Sequence, residues 1–370
     1  MKKKKCLLGL LALCMSMTAS VFVSCGENAD NEDVGGNTNT EQNGETPTPE
    51  TPNEGNQEGG ATTNPNEPTV THVRDLEVIT TVAGTGTATL VKLPDGKDML
   101  IDAGDGTADS VFYLHSLIDE HVSDMTIEYF VLTNTNPWRT AGVPGILYNY
   151  TVLNFYKPDV SSSHAIASGL SLEYNSGSSA LVEPSEEYAL ALTTAAETGC
   201  SVKTITETSC DINYTFEDNS GNSYNYKIDF MTPIEAVNRT GRFKNSTIIS
   251  IEYKGKTTLV TSDVNNDLID AYCNVYGNKY DVDVLITSYY STNEAKYAVS
   301  RSDLRGTNFL EKISLVEGDY SILVPVEDID GIGELVKELN DTGAGYYTTN
   351  DYFTITAKVS TTGVLSVTAE

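Results

Sequence analysis

Histidine is scarce in this chain of 370 residues: His72, His115, His121 and His164 are all it has. A chain so poor in imidazole has few of the ligands that zinc and related metals prefer. No Ser-His-Asp or Cys-His arrangement with a supporting motif is present either, so the familiar nucleophilic hydrolase patterns are missing. Basic residues are also few, 23 against 52 acidic ones. The formal charge of −29 becomes −33 without Lys2 to Lys5, and setting aside the ten acids between Gly26 and Val70 leaves about −23 on the remainder. Such a field repels phosphate backbones, so no nucleic-acid partner is expected. Tryptophan occurs once, as Trp138.

What is present begins with an export signal. Met1-Lys2-Lys3-Lys4-Lys5 is a basic n-region and Cys6 to Val23 an apolar h-region. That run is too short, and too promptly followed by polar residues, to read as a resident transmembrane helix. Phe22-Val23-Ser24-Cys25-Gly26 resembles a bacterial lipobox, which implies a signal peptide over 1–24, cleavage before Cys25 and acylation of its thiol. An ordinary secretory cleavage near Ser24 is the alternative. The lipobox reading makes the membrane a partner through Cys25, and places the chain outside the cytoplasm as an envelope lipoprotein. Residues 25–70 are Gly, Asn, Thr, Pro, Glu, Gln and Asp almost throughout, a composition that cannot bury a core and reads as a disordered acidic tether. As a coil it would span roughly 35–40 Å. Of the remaining cysteines, Cys200 and Cys210 flank a short segment and a disulfide between them is an option in an oxidising compartment, which would leave Cys273 over.

The region 71–370 alternates strand and helix patterns. Strands are expected at Leu76–Val82, Ala88–Leu93 and Met99–Gly104, the last two joined by a Pro94-Asp95-Gly96-Lys97 hairpin turn. Apolar residues recur at helical spacing over 108–118, and His115 and His121 fall near the end of that run, where an imidazole is commonly solvated or a cap. A strand at Ile127–Leu132 leads into a loop rich in Asn, Thr and Pro. Next come a short helix at Val143–Tyr150, a strand at Val152–Tyr156, a Ser-, Gly- and Asn-rich insert at 160–184, and a helix at Glu186–Thr198. Strands at 212–216, 224–231 and 247–253 follow, then a helix over 265–275. The chain finishes with a strand near 320–324, a helix over 329–339, and strands at 345–348 and 352–358.

Four segments carry a resemblance. V-A-G-T-G-T-A-T-L-V-K-L-P-D-G-K-D-M-L-I-D-A-G-D-G, Val82 to Gly106, resembles the opening of the metallo-β-lactamase-fold domain of ComEC-type competence proteins. V-L-T-N-T-N-P-W-R-T-A-G, Val131 to Gly142, resembles that superfamily's T-H-x-H-x-D-H-x-x-G loop. Asn245 to Asp263 and Val282 to Thr292 resemble its later strand segments. The resemblance implies an αββα four-layer sandwich of two mixed sheets with helices outside, and a metal site where its two halves meet.

The ligand positions do not follow. Asn134 and Asn136 stand where the resemblance implies two histidines, Trp138 and Arg139 where it implies Asp and His, and Tyr289 and Tyr290 where it implies a His pair. Asp263 alone matches a metal-bridging carboxylate, and it also reads as the N-cap of the helix that follows. Carboxamides are poor zinc ligands, indole offers no lone pair for a metal, and guanidinium opposes a cation. No metal and no cofactor are therefore expected, although zinc belongs to the superfamily. The Asn-Thr-Asn-Pro stretch reads as a turn whose side chains cap backbone N–H groups. Trp138 is lid, core or a stacking surface. The expectation is a noncatalytic binding or assembly protein for a small molecule, glycan or protein. Its rival is a hydrolase using Asp102, Asp263, Tyr290 and Arg139 in acid–base or charge-stabilising roles.

Overall fold

The computed structural model describes residues 72–84, 86–158, 186–205, 211–231, 246–262, 280–289, 313–325 and 339–370, all within the unit Gly60–Glu370. The strands are β1 (Leu76–Ala83), β2 (Gly86–Lys92), β3 (Asp98–Ile101), β4 (Thr126–Val131), β5 (Thr151–Lys157), β6 (Ser201–Thr204), β7 (Ile212–Glu217), β8 (Ser223–Met231), β9 (Ile248–Tyr253), β10 (Lys256–Ser262), β11 (Tyr280–Asp281), β12 (Val284–Tyr289), β13 (Ile313–Ser314), β14 (Tyr320–Pro325), β15 (Gly345–Thr348), β16 (Thr354–Val359) and β17 (Leu365–Ala369). The helices are α1 (Ala108–His121), α2 (Pro137–Thr140), α3 (Val143–Asn149) and α4 (Glu186–Thr198).

Two large mixed sheets result. The first runs β17-β16-β1-β2-β3-β4-β5-β6 and the second β15-β14-β12-β10-β9-β8-β7; β11 and β13 pair separately. In each, antiparallel neighbours give way to parallel ones, at β3–β4 in the first sheet and β10–β12 in the second. Parallel pairing requires crossovers. In the first sheet, α1 makes the crossover from β3 to β4, α2 and α3 the one from β4 to β5, and α4 the one from β5 to β6.

Period-two alternation sorts the side chains into two layers. Val78, Val91, Met99, Ile101, Val131 and Tyr156 face the second sheet and join Phe230, Ile249, Ile251, Val284 and Ile286 in one apolar core. Their strand neighbours Ile79, Leu90, Leu100, Phe130 and Phe155 face the other way, against Leu114, Ile118, Ile146, Leu147, Tyr188 and Ala191 of the helices. Three of the four expected layers are thus described. The segments expected to supply the fourth, 265–275 and most of 329–339, lie outside the described residues, as does the insert 160–184.

One expectation is corrected. The first helix continues to His121, so His115 lies in its middle, half-buried, with its ring 5.2 Å from that of Tyr150. The Cys200 thiol donates to the Ala195 carbonyl at 3.5 Å; Cys210, the other half of the optional disulfide, lies outside the described residues.

Candidate functional site

The carboxyl ends of parallel strands are where open mixed sheets place their ligands. In this chain the ends of β3 and β4 carry Asp102 and the Thr133–Arg139 loop, and β12 ends at Tyr289. Asp102 follows β3 with φ of 60°, a left-handed conformation that turns its carboxylate back under the loop. Its backbone N–H donates to the Val131 carbonyl at 2.8 Å. The carboxylate accepts from the Thr133 N–H at 2.9 Å and from the Thr133 hydroxyl at 2.7 Å.

Arg139 completes this arrangement. One of its terminal nitrogens lies 3.4 Å from an Asp102 carboxylate oxygen, and the two side chains are only 2% and 3% exposed. The Arg139 carbonyl in turn accepts from the Ala103 N–H at 3.0 Å, so side chain and backbone both tie the loop to the end of β3. The helical turn that presents Arg139 is α2, with Pro137 at its start. It lies inside the stretch that sequence reasoning treats as loop.

Asn134 holds the loop through its side chain and Asn136 through its backbone carbonyl. Asn134 and Asn136 are fully buried. The Asn134 side-chain oxygen accepts from the Asn136 N–H at 2.9 Å, an Asx turn of the kind expected. Its amide nitrogen reaches the Ser246 hydroxyl at 3.5 Å. The Asn136 backbone carbonyl accepts from the N–H groups of Arg139 and Thr140 and from the Thr140 hydroxyl. The Thr133 carbonyl accepts from the Thr247 N–H at 2.7 Å, which fastens the loop to the second sheet just before β9. Sequence reasoning gives Ser246 and Thr247 no role; the signal available is their place at the head of the Asn245–Asp263 segment.

Trp138 is core rather than lid, 9% exposed. Its carbonyl oxygen sits where a side chain on Gly86 would be: a Cβ there would fall 1.8 Å away. A Cβ on Gly142 would fall 2.0 Å from the Ala103 carbonyl oxygen. The two glycines let the β1–β2 turn, the β3–α1 loop and the α2–α3 turn touch backbone to backbone.

The structure therefore brings Asn134, Asn136, Trp138 and Arg139 together with Asp102, and buries all of them. Tyr289 closes β12 in register with Pro325. Asp263 and Tyr290 lie outside the described residues. Zinc does not fit the described donor set: the Asn134 oxygen is committed to a backbone N–H, and a guanidinium occupies the side of Asp102 where a cation would bind. Among the described residues, no group of three or more His, Cys, Asp or Glu side chains is placed to hold a metal ion. Burial and mutual pairing also leave Asp102 and Arg139 poorly placed for acid–base work on a substrate.

No protein-family model matches the chain, and no curated protein matches it. Among solved structures it is similar to the metallo-β-lactamase fold protein YhfI from Bacillus subtilis, at 12% identity and a TM-score of 0.42, over 80% of this chain and 100% of that one. Zn2+-bound PqqB from Methylobacterium extorquens gives 13% and 0.41 over 74% and 97%. CmlA, a diiron β-hydroxylase from Streptomyces venezuelae, gives 12% and 0.41 over 80% and 55%. Likenesses this faint decide nothing about chemistry, and the architecture rests on the strand order and register themselves.

Proposed function

We propose that this chain is an exported lipoprotein, anchored through Cys25 and an acidic tether, whose folded domain is a metallo-β-lactamase-like module serving a noncatalytic binding or assembly role. Its partner would be a small molecule, glycan or protein of the cell envelope. The observation that carries this reading is the buried Asp102–Arg139 pair beneath the Asn134–Asn136 loop. A fixed internal cation next to that carboxylate supplies the charge balance that a metal ion gives in a hydrolytic site, and the Asn134 carboxamide oxygen is used up in holding the loop's own backbone. A loop built in this way keeps its shape without a ligand.

Elemental analysis tests the reading. The chain, purified after growth with added zinc and manganese, is expected to hold far less than one metal ion per molecule. A stoichiometric metal that disappears on Asp263→Ala would overturn the proposal and direct attention to phosphodiester and ester substrates.

A further inference from the structure

The first sheet ends, among the described residues, in the strand β17. β17 is bonded to β16 alone among the described residues. Its register sets Ala369 opposite Ile355, Val367 opposite Ala357 and Leu365 opposite Val359. Thr354 and Glu370 exchange both backbone hydrogen bonds, at 3.1 and 2.9 Å, and the Ser360 N–H donates to the Val364 carbonyl at 2.9 Å. Antiparallel ladders alternate bonded and non-bonded pairs. Thr368 and Ser366 therefore spend their backbone groups on β16, while Leu365, Val367 and Ala369 turn their N–H and C=O groups outward along the edge.

The edge carries none of the devices that usually block pairing. Edge strands are normally shortened, charged with lysine, broken by proline or bulged. β17 has five residues, no lysine, no proline and no register shift. The edges at β6 and β15 have only four residues each; β6 carries Lys203 and β15 opens with Gly345, while β7 ends in Glu217.

We infer that β17 pairs antiparallel with β17 of a second copy of this chain, about a two-fold axis through Val367, joining two eight-stranded sheets into one. This register sets Val367 against its own counterpart and Leu365 against Ala369, so each copy's three outward residues all find partners, about six bonds in total at two per facing pair. Centring the axis on Ser366 or Thr368 leaves at least one outward residue of each copy unpaired. Side chains agree with the same register. Leu365, Val367 and Ala369 are half-buried against the inter-sheet core, and in the pair they extend it, the larger leucine beside the smaller alanine. On the exposed face Ser366 meets Thr368, hydroxyl to hydroxyl, with no like charges opposed. An isologous contact of this kind closes on itself and stops at two. The net charge of −29 opposes association, so added salt should strengthen it.

The full chain, purified in mild detergent, tests this by light scattering across a concentration series and by cysteine cross-linking. The wild type is expected to show two chains per particle, more so at higher salt. Val367→Pro removes an outward N–H that β16 does not use, so it should leave the circular dichroism spectrum intact and abolish the dimer. In non-reducing gels, Ser366→Cys mixed with Thr368→Cys should cross-link, whereas either alone should not, because only the mixed pair lies directly opposite. A monomeric wild type at all concentrations and salts overturns the inference. So does a dimer that survives Val367→Pro with the fold intact, or cross-linking of Ser366→Cys to itself. Should Val367→Pro fail to fold, Ser366→Glu/Thr368→Glu decides: it should be monomeric alone and dimeric when mixed with Ser366→Lys/Thr368→Lys, and failure of that rescue overturns the pairing.

Discussion

Arg139 and Asp102 face each other at 3.4 Å, almost wholly shielded from water, at the junction of β3 and the loop after β4. Removing one member of such a pair strands the other as a buried charge, which destabilises by about 3–5 kcal/mol. Arg139→Met and Asp102→Asn are each expected to lose about that much in urea unfolding. The double variant should lose clearly less than the sum, because the second substitution removes a charge that the first had already stranded. Additive losses would mean that the pair is not coupled.

Backbone contact around the same loop makes a second expectation. Gly86→Ala and Gly142→Ala would drive a methyl group into the carbonyls of Trp138 and Ala103. Neither carbonyl sits on a flexible side chain, so each change should destabilise by about 1–3 kcal/mol or more. Gly145→Ala is the contrast. It lies within α3, its added carbon would meet the His115 Nε2 at 3.4 Å, and alanine favours a helix over glycine by about 1 kcal/mol. Thermal melts of the three variants should separate the first two from the third.

Regular elements of the first half were legible in the sequence. The helix at Glu186–Thr198, the Asp95-Gly96 hairpin and the strands around Leu90 and Phe130 all announce themselves by period and punctuation, and the structure places them as expected. The Asx turn at Asn134 was legible too, because its mechanism is local. The partner of Arg139 was not. A guanidinium in a polar loop reads as exposed until the fold brings Asp102 beneath it from another strand. The one-turn helix α2 is too short to leave a period, and β17 went unread although Leu365-Ser366-Val367-Thr368-Ala369 alternates as a half-buried strand should. His115 was placed at a helix end for want of a stop signal; its real neighbour, Tyr150, belongs to the next crossover.

That position gives His115 a measurable effect on stability. Burial pushes its imidazole below the usual value of 6.5, and the nearby Asp119 carboxylate only partly offsets this. Tyr150, whose hydroxyl donates to Asp119 at 2.8 Å, lines the other side. A base whose folded pKa is depressed is held neutral by folding, while the unfolded chain still takes up its proton. The contribution is therefore complete above about pH 6.5 and is lost progressively as pH falls below it. His115→Gln has no such proton to gain. The difference in melting temperature between wild type and His115→Gln should shift against the wild type on going from about pH 8 to pH 5. A difference independent of pH would show that the ring is solvated in the folded state.

Anchoring through Cys25 is the reading with the largest cellular consequence, and it separates cleanly from ordinary secretion. Both readings predict export and cleavage near Ser24, but only the lipoprotein reading makes the thiol itself indispensable. One acyl chain gives marginal, reversible membrane binding, while two hold a soluble domain firmly. The chain is therefore expected to follow the detergent phase in a Triton X-114 partition, and Cys25→Ser is expected to move it to the aqueous phase. The tether composition makes this readout clean: residues 26–70 contain no aromatic and hardly an apolar side chain, so nothing there could hold the protein on a bilayer once the thiol is gone. Its acids would instead repel an anionic surface. A Cys25→Ser chain that remained in the detergent phase would place the anchor in an uncleaved 6–23 segment and would sink the lipoprotein reading.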